Sequence, residues 1–240
     1  MEYRVLNIAK DKIFIAPMFY RLYDIFTEHP LDLIAESISI FPLIVGVVRY
    51  RSLRKGVKFL ILFFFIIIVR DFTSNLYAVR KVNNLFLYNL SAFFEVISVC
   101  LLFRFEITKK STKKFVDYGA LITVLLCVFF WRSNELSAGI LTSSRLYELL
   151  VVLFYFRQLI EDMNVKDILK HSLFWISSGL ILQFTGTFFV YLFANYALSI
   201  NTESGLFNLY WNMNQIMYIT FALFSSIGLW VSKYDKNNFL

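Results

Sequence analysis

The residues able to do chemistry in this chain are polar side chains set inside long apolar runs. Asp32 and Glu36 lie in the first such run, Arg70, Asp71 and Asn75 in the second, and Asn89 and Glu95 in the third. Arg145 and Glu148 fall in the fifth run, Gln183 in the sixth, and Asn208, Asn212, Asn214 and Gln215 in the seventh. On helices, several of these share a face. Asp32 and Glu36 are four residues apart, as are Asp71 and Asn75, while Arg145 and Glu148 are three apart and can meet. Asn208, Asn212 and Gln215, at i, i+4 and i+7, form a polar stripe. Gly179, Gln183 and Gly186 form another, whose glycines permit close helix approach. The carboxylates Asp32, Glu36, Asp71, Glu95 and Glu148 outnumber the arginines Arg70 and Arg145. A carboxylate left over must be solvated, protonated or paired with a cation from outside.

The chemistry these residues could support is narrow. His29 and His171 fall at opposite predicted membrane faces, and there is no HExxH or Cys/His cluster, so no metal site is expected. Cys100 and Cys127 sit in apolar stretches and read as small buried hydrophobes. No GxSxG motif occurs, and no intramembrane histidine could activate a serine, which argues against rhomboid-like proteolysis. The seventh run has no lysine for a retinal Schiff base, and no Gly-rich phosphate loop is present. Glu95 with Glu148 is a pair that could serve a hydrolase as general acid and base. Without a specific motif, no catalytic residue and no cofactor are assigned.

The elements that must position these residues are membrane helices. Apolar residues make up 58% of the 240 and charged residues only 17%, and Phe alone contributes 28, too many for a soluble core of this size. Apolar runs at 31–48, 59–79, 85–105, 115–131, 139–156, 173–196 and 208–231 each approach the roughly 20 residues needed to cross about 30 Å of hydrocarbon. Runs of that length without alternation read as helices. The expected fold is therefore all-α, a polytopic transmembrane helical bundle of seven spans occupying residues 31–231. Residues 1–30 lack the features of a signal peptide and read as an interfacial segment broken by Pro17, with Met18 a second candidate start. Residues 232–240 form a short tail, and no room is left for a separate soluble domain.

Loop charge sets the orientation. The loop after the first run carries Arg49, Arg51, Arg54, Lys55 and Lys58, and the loop after the third carries Arg104, Lys109, Lys110, Lys113 and Lys114. Arg157, Lys166 and Lys170 follow the fifth run, and Lys233 and Lys236 lie in the tail. The opposite loops have Arg80, Lys81 and Arg132, beside four cations in the N-terminal segment. The positive-inside rule places the rich loops and the C-terminus in the cytoplasm and the N-terminus outside. The net charge of +7 is thus loop charge rather than a nucleic-acid footprint. Trp131 and Trp211 fall at predicted outer ends, and Trp175 and Trp230 at inner ends, as aromatic belts require. No second-half counterpart mirrors Arg70–Asn75, which weighs against a transporter built from duplicated halves.

Helix rise gives depths. Glu36 lies about 8 Å below the outer end of its span, Arg145 about 9 Å, Glu148 about 13 Å and Glu95 about 15 Å. Asn212 and Gln215 lie about 6 and 10 Å down. The inner halves, 59–69, 96–103, 149–156 and 220–231, are almost wholly apolar. Polarity confined to the outer half suits an outward-facing pocket. It also suits ion pairs that fix helix registry with amides as interhelical glue, or a proton or ion path.

The run Phe174-Trp175-Ile176-Ser177-Ser178-Gly179, with Gly186 and the Asn212/Gln215 stripe, resembles a class of small bacterial seven-helix proteins that act as membrane sensors beside, or fused to, signalling kinases. That resemblance implies a multi-pass protein of the bacterial cytoplasmic (inner) membrane, and a sensor ending here would need a separate signalling protein as partner. The leading functional expectation is a receptor-like protein binding a small or lipid-like ligand from the outer side. Arg70, Glu95, Arg145, Glu148, Asn212 and Gln215 are its expected lining, with the arginines orienting an acidic group. A secondary transporter or channel is the alternative, and an intramembrane hydrolase the third reading.

Overall fold

A computed structural model of the chain describes residues 26–27, 30–162, 165–193 and 204–238. Most of the N-terminal interfacial segment expected over 1–30 lies outside the described residues, as does the stretch of the sixth apolar run beyond 193. Seven long helices carry the fold: α1 (Pro30–Arg49), α2 (Lys58–Val79), α3 (Leu85–Arg104), α4 (Lys110–Phe129), α5 (Ala138–Asp162), α6 (Ser172–Leu192) and α7 (Ser204–Val231). α1 is interrupted by a turn at Ser39, whose hydroxyl donates to the Glu36 carbonyl at 2.5 Å instead of leaving the ladder uninterrupted. Every helix except α4 is long and apolar enough to cross a membrane, which marks the chain as a multi-pass membrane protein. α4 begins inside the basic stretch Lys110–Lys114 and carries Asp117 a turn later, so its apolar part is shorter.

The six apolar helices close into a ring. α1 packs on α7, α7 most extensively on α6, α6 on α5, α5 on α3, α3 on α2, and α2 returns to α1. α4 stands outside this ring in the groove between α3 and α5. It buries Val116, Thr123 and Cys127 and exposes Tyr118, Leu121, Leu125, Val128 and Phe129. Exposed leucine, isoleucine and phenylalanine on most of the helices make the outer surface one that lipid can solvate.

Two ends of the ring can be distinguished. At the upper end, where α1, α3, α5 and α7 begin, α2 closes with Lys81 at φ 57° and Val82 N–H reaching back to the Tyr77 carbonyl, a Schellman-type stop. There Asn83 donates to Asn134 in the α4–α5 connection, and Asn89 donates to the carbonyls of Arg132 and Glu135 while accepting from Ser137 N–H. At the lower end a second polar cluster ties the loops. Arg54 of the α1–α2 loop is ion-paired with buried Glu106, whose carboxyl is pushed up by burial while Arg54 opposes the shift. His171 lies between Tyr155, at 3.2 Å, and Asp235, at 3.4 Å. Asp235 also accepts from the backbone and hydroxyl of Ser172. The lower end is therefore less wholly apolar than the long runs suggest, because Arg54, Glu106, His171 and Asp235 lie in the segments flanking them.

Between the two ends lies an aromatic and aliphatic slab. Phe63 and Phe64 of α2 pack on Phe221 of α7 with ring centroids 5.7 and 5.1 Å apart. Tyr218, Phe221, Ala222, Ser225 and Leu229 recur along α7 at helical spacing and form its buried stripe. Glycines allow the tightest seam. A methyl group at Gly179 of α6 would sit 2.8 Å from Phe224 Cβ and 3.4 Å from Phe221 Cα on α7. Gly179→Ala should lower stability by about 1–3 kcal/mol, because backbone and core rings must shift. Leu182→Ala, on the exposed side of the same helix, should stay within about 0.5 kcal/mol. Thermal unfolding of both variants in detergent checks the difference.

Candidate functional site: a polar cavity inside the helix ring

The ring encloses a cavity of about 320 Å³ in its upper half. All six ring helices contribute to its wall, and α4 contributes nothing. α1 supplies Asp32, Ala35 and Glu36, one helical face at i, i+3 and i+4. α2 supplies Arg70, Asp71, Ser74, Asn75 and Ala78, again a single broad face. Tyr88 and Glu95 come from α3, Arg145 from α5, Gln183 and Tyr191 from α6, and Trp211, Asn214, Gln215 and Tyr218 from α7. The lining reaches Ala78, Asn84 and Leu85 at the upper end and stops at Ile67, Glu95 and Tyr218, just above the Phe63–Phe64–Phe221 slab.

A chain of alternating charge runs along the wall. Asp71 accepts from Arg70 at 2.9 Å (Nε) and pairs with its Nη2 at 2.7 Å. Arg70 Nη1 lies 3.5 Å from Glu95 Oε1. The other Glu95 oxygen pairs with Arg145 Nη2 at 2.6 Å, and Arg145 Nη1 pairs with Glu148 at 2.6 Å. Rings complete the arginine surroundings: Tyr88 lies 4.9 Å from the Arg70 guanidinium carbon, and Phe184 and Tyr191 lie 5.2 and 5.7 Å from that of Arg145. Glu95, Arg145 and Glu148 are 2%, 5% and 0% exposed, so each charge depends on its neighbours for the solvation that water would supply.

Two carboxylates stand apart from this chain. Asn75 Nδ2 donates to both oxygens of Glu36 at 3.0 and 2.9 Å, and Trp211 Nε1 donates to Asp32 at 2.8 Å. Glu36 has no ion pair among the described residues, and an amide donor does not neutralise it. Gln183, 4% exposed, has no hydrogen-bond partner for its Oε1 among the described residues, so the cavity wall holds a buried acceptor awaiting a donor.

Four of the expected lining residues, Arg70, Glu95, Arg145 and Gln215, meet in this cavity. Glu148 does not reach it and lies behind Arg145. Asn212 is exposed and off the cavity, as is Asn208. The inward face of α7 is set by the buried stripe from Tyr218 to Leu229. Extending that stripe upward by helical steps brings in Trp211, Asn214 and Gln215 rather than Asn208 and Asn212. Polarity alone gives the wrong phase; the aromatic contributors Tyr88, Tyr191, Trp211 and Tyr218 were also missed, although a tyrosine hydroxyl within an apolar run is itself a polar signal. Asn89, another intramembrane candidate, caps the α4–α5 connection instead.

No cluster of metal-ligating side chains occurs among the described residues. Comparison with protein-family models, with curated proteins and with solved structures gives no match, so chemistry and geometry carry the functional argument.

Removing Arg145 leaves Glu95 and Glu148 buried beside each other without their shared cation. Arg145→Gln should cost about 3–5 kcal/mol, seen as a large drop in melting temperature in detergent. Adding Glu148→Gln to it should recover part of that loss. Equal stability of the single and double variants would show that the pair is not electrostatically coupled.

Proposed function

We propose that the chain is a receptor-like membrane protein of seven spans, α4 included, whose upper-half cavity binds a small molecule from the outer side. In this reading the upper end faces outward, the N-terminus lies outside and the C-terminus in the cytoplasm of a bacterial cell, in its inner membrane. The observation that carries it is the shape of the site: a polar cavity walled by six helices, with the half beneath it filled. A ligand touching all six helices can bias their packing, which is the property a sensor needs. The lower end then presents exposed loop cations, among them Arg51, Lys55, Lys109 and Lys170, to a separate signalling partner.

Transport requires a polar route through the lower half. Phe63, Phe64, Phe103, Phe221, Leu173 and Ile176 fill that half and are almost completely buried, which favours binding over passage. The loop cations support the orientation, since the lower-end connections carry most of them.

Topology is tested by single cysteines added at Ser133, in the α4–α5 connection, and at Ser111, at the start of α4. In intact cells a membrane-impermeant maleimide should label Ser133→Cys, and should label Ser111→Cys only after permeabilisation. The reverse pattern would overturn the orientation. Binding is tested by a thermal-shift screen of small molecules on the purified protein. A ligand at a hundred times its Kd should stabilise the fold by about 2.7 kcal/mol. Ala78→Trp, at the mouth of the cavity, should abolish that gain. Flux of the same ligand through proteoliposomes would favour a transporter instead.

A further inference from the structure

A second cavity, of about 280 Å³, lies against the same wall between α1 and α2. Its surroundings are mostly apolar: Phe26, Leu33, Ile40, Ile68, Phe72 and Leu76. Leu33, Ile40 and Phe72 are exposed, which places this groove on the surface that faces lipid. Glu36, Asp71 and Asn75 border both cavities. The groove is thus separated from the polar interior by a partition of three polar side chains, joined across the gap by the Asn75–Glu36 hydrogen bonds.

The helix path explains the opening. The part of α1 before Ser39 packs on α7, whereas the part after it packs on both α7 and α2. Above the Ser39 turn, α1 follows α7 and leaves α2 to one side. Polar groups bordering a lipid-facing groove are costly unless something with complementary chemistry meets them.

We propose that the two cavities form one site for a single-chain amphiphile with an ammonium head, entering sideways from the bilayer between α1 and α2. Its alkyl chain lies along Leu33, Ile40, Ile68 and Phe72. Its ammonium meets Glu36 at the partition, and the remaining donors of its head point into the central cavity, where Gln183 Oε1 is unmatched. The sign of the head group follows from charge complementarity. Both cavity guanidiniums are already held by carboxylates, while Glu36 has no cation among the described residues. An anionic head would meet no available positive partner there. This inference rests on the cavity being a ligand site and adds the ligand's class and its route of entry.

Binding of dodecylamine, butylamine and dodecanoate to the full chain in zwitterionic phosphatidylcholine nanodiscs tests it, read by tryptophan fluorescence and thermal shift. Dodecylamine should bind at least about tenfold more tightly than butylamine, because added methylenes are buried in the groove, and more tightly than dodecanoate. Glu36→Gln should weaken dodecylamine binding by about tenfold or more. Ile68→Trp, which fills the groove, should remove the chain-length preference while butylamine still binds; it keeps the test alive if Glu36→Gln does not fold. Equal binding of the two amines would overturn the lateral groove, and preference for dodecanoate would overturn the charge assignment. An unchanged dodecylamine response in both variants would mean partition into the bilayer and overturn the proposal. In each of these cases, small molecules that still stabilise the protein and are blocked by Ala78→Trp would leave the cavity's role as a ligand site standing. No response to any small molecule would overturn both.

Discussion

The central constraint on this fold is the expense of holding ionised side chains inside a hydrocarbon layer. Five of them, Asp71, Arg70, Glu95, Arg145 and Glu148, are linked so that each charge faces one of opposite sign, and Glu95 is shared between two guanidiniums. The chain draws its members from α2, α3 and α5, so it fixes the mutual rotation and depth of three helices at once. Apolar packing between helices in lipid is only weakly specific, since lipid tails are as apolar as leucine. A chain of paired charges supplies a registry that such packing lacks. α6 and α7 join the same assembly through rings and amides: Phe184 and Tyr191 lie beside Arg145, and Tyr191 donates to Asn214 at 3.2 Å.

The lower half is organised on a different principle. Phe63, Phe64, Phe103 and Phe221 are essentially inaccessible; Phe63 and Phe64 of α2 interlock with Phe221 of α7, and Phe103 of α3 packs on Tyr155 of α5. Below them the polar cluster around Glu106, His171 and Asp235 ties the α1–α2 loop, the start of α6 and the C-terminal turn together. A filled slab between two polar layers transmits helix displacement better than a continuous aqueous channel would, because close-packed interiors resist compression. In the proposed receptor, movement of a ring helix at the cavity would reach the lower cluster through this packing.

The sequence made the helices legible because each apolar run abuts a cluster of charge or a turn residue. The fifth run is longer in the structure, where the helix extends to Asp162 with Arg157 and Glu161 paired along its last turns. The depth of the polar layer was also legible, from helix rise alone. Rotational phase was not. On α7 the asparagines lie on both sides of the helix, and only the buried stripe below them decides that Asn214 and Gln215 face inward while Asn212 does not. The shorter apolar part of α4, behind its basic start, does not by itself show that this helix stands outside the ring, since its position is set by contacts with α3 and α5. The Arg54–Glu106 and His171–Asp235 contacts join residues about fifty or more positions apart in loops, where periodicity carries no signal.

Glu36 brings these threads together. It is not part of the alternating chain, and its donor, Asn75, carries no charge. Had the surrounding helices needed only registry, a glutamine at position 36 could have formed the same interhelical hydrogen bonds without the desolvation of a carboxylate. The turn at Ser39 interrupts α1 just below this carboxylate, and the groove outside it is apolar and reachable from lipid. Registry therefore explains the five-membered chain but not Glu36. A carboxylate placed at the junction of a polar cavity and a greasy groove has the chemistry of a contact for a positively charged head whose tail remains in the bilayer.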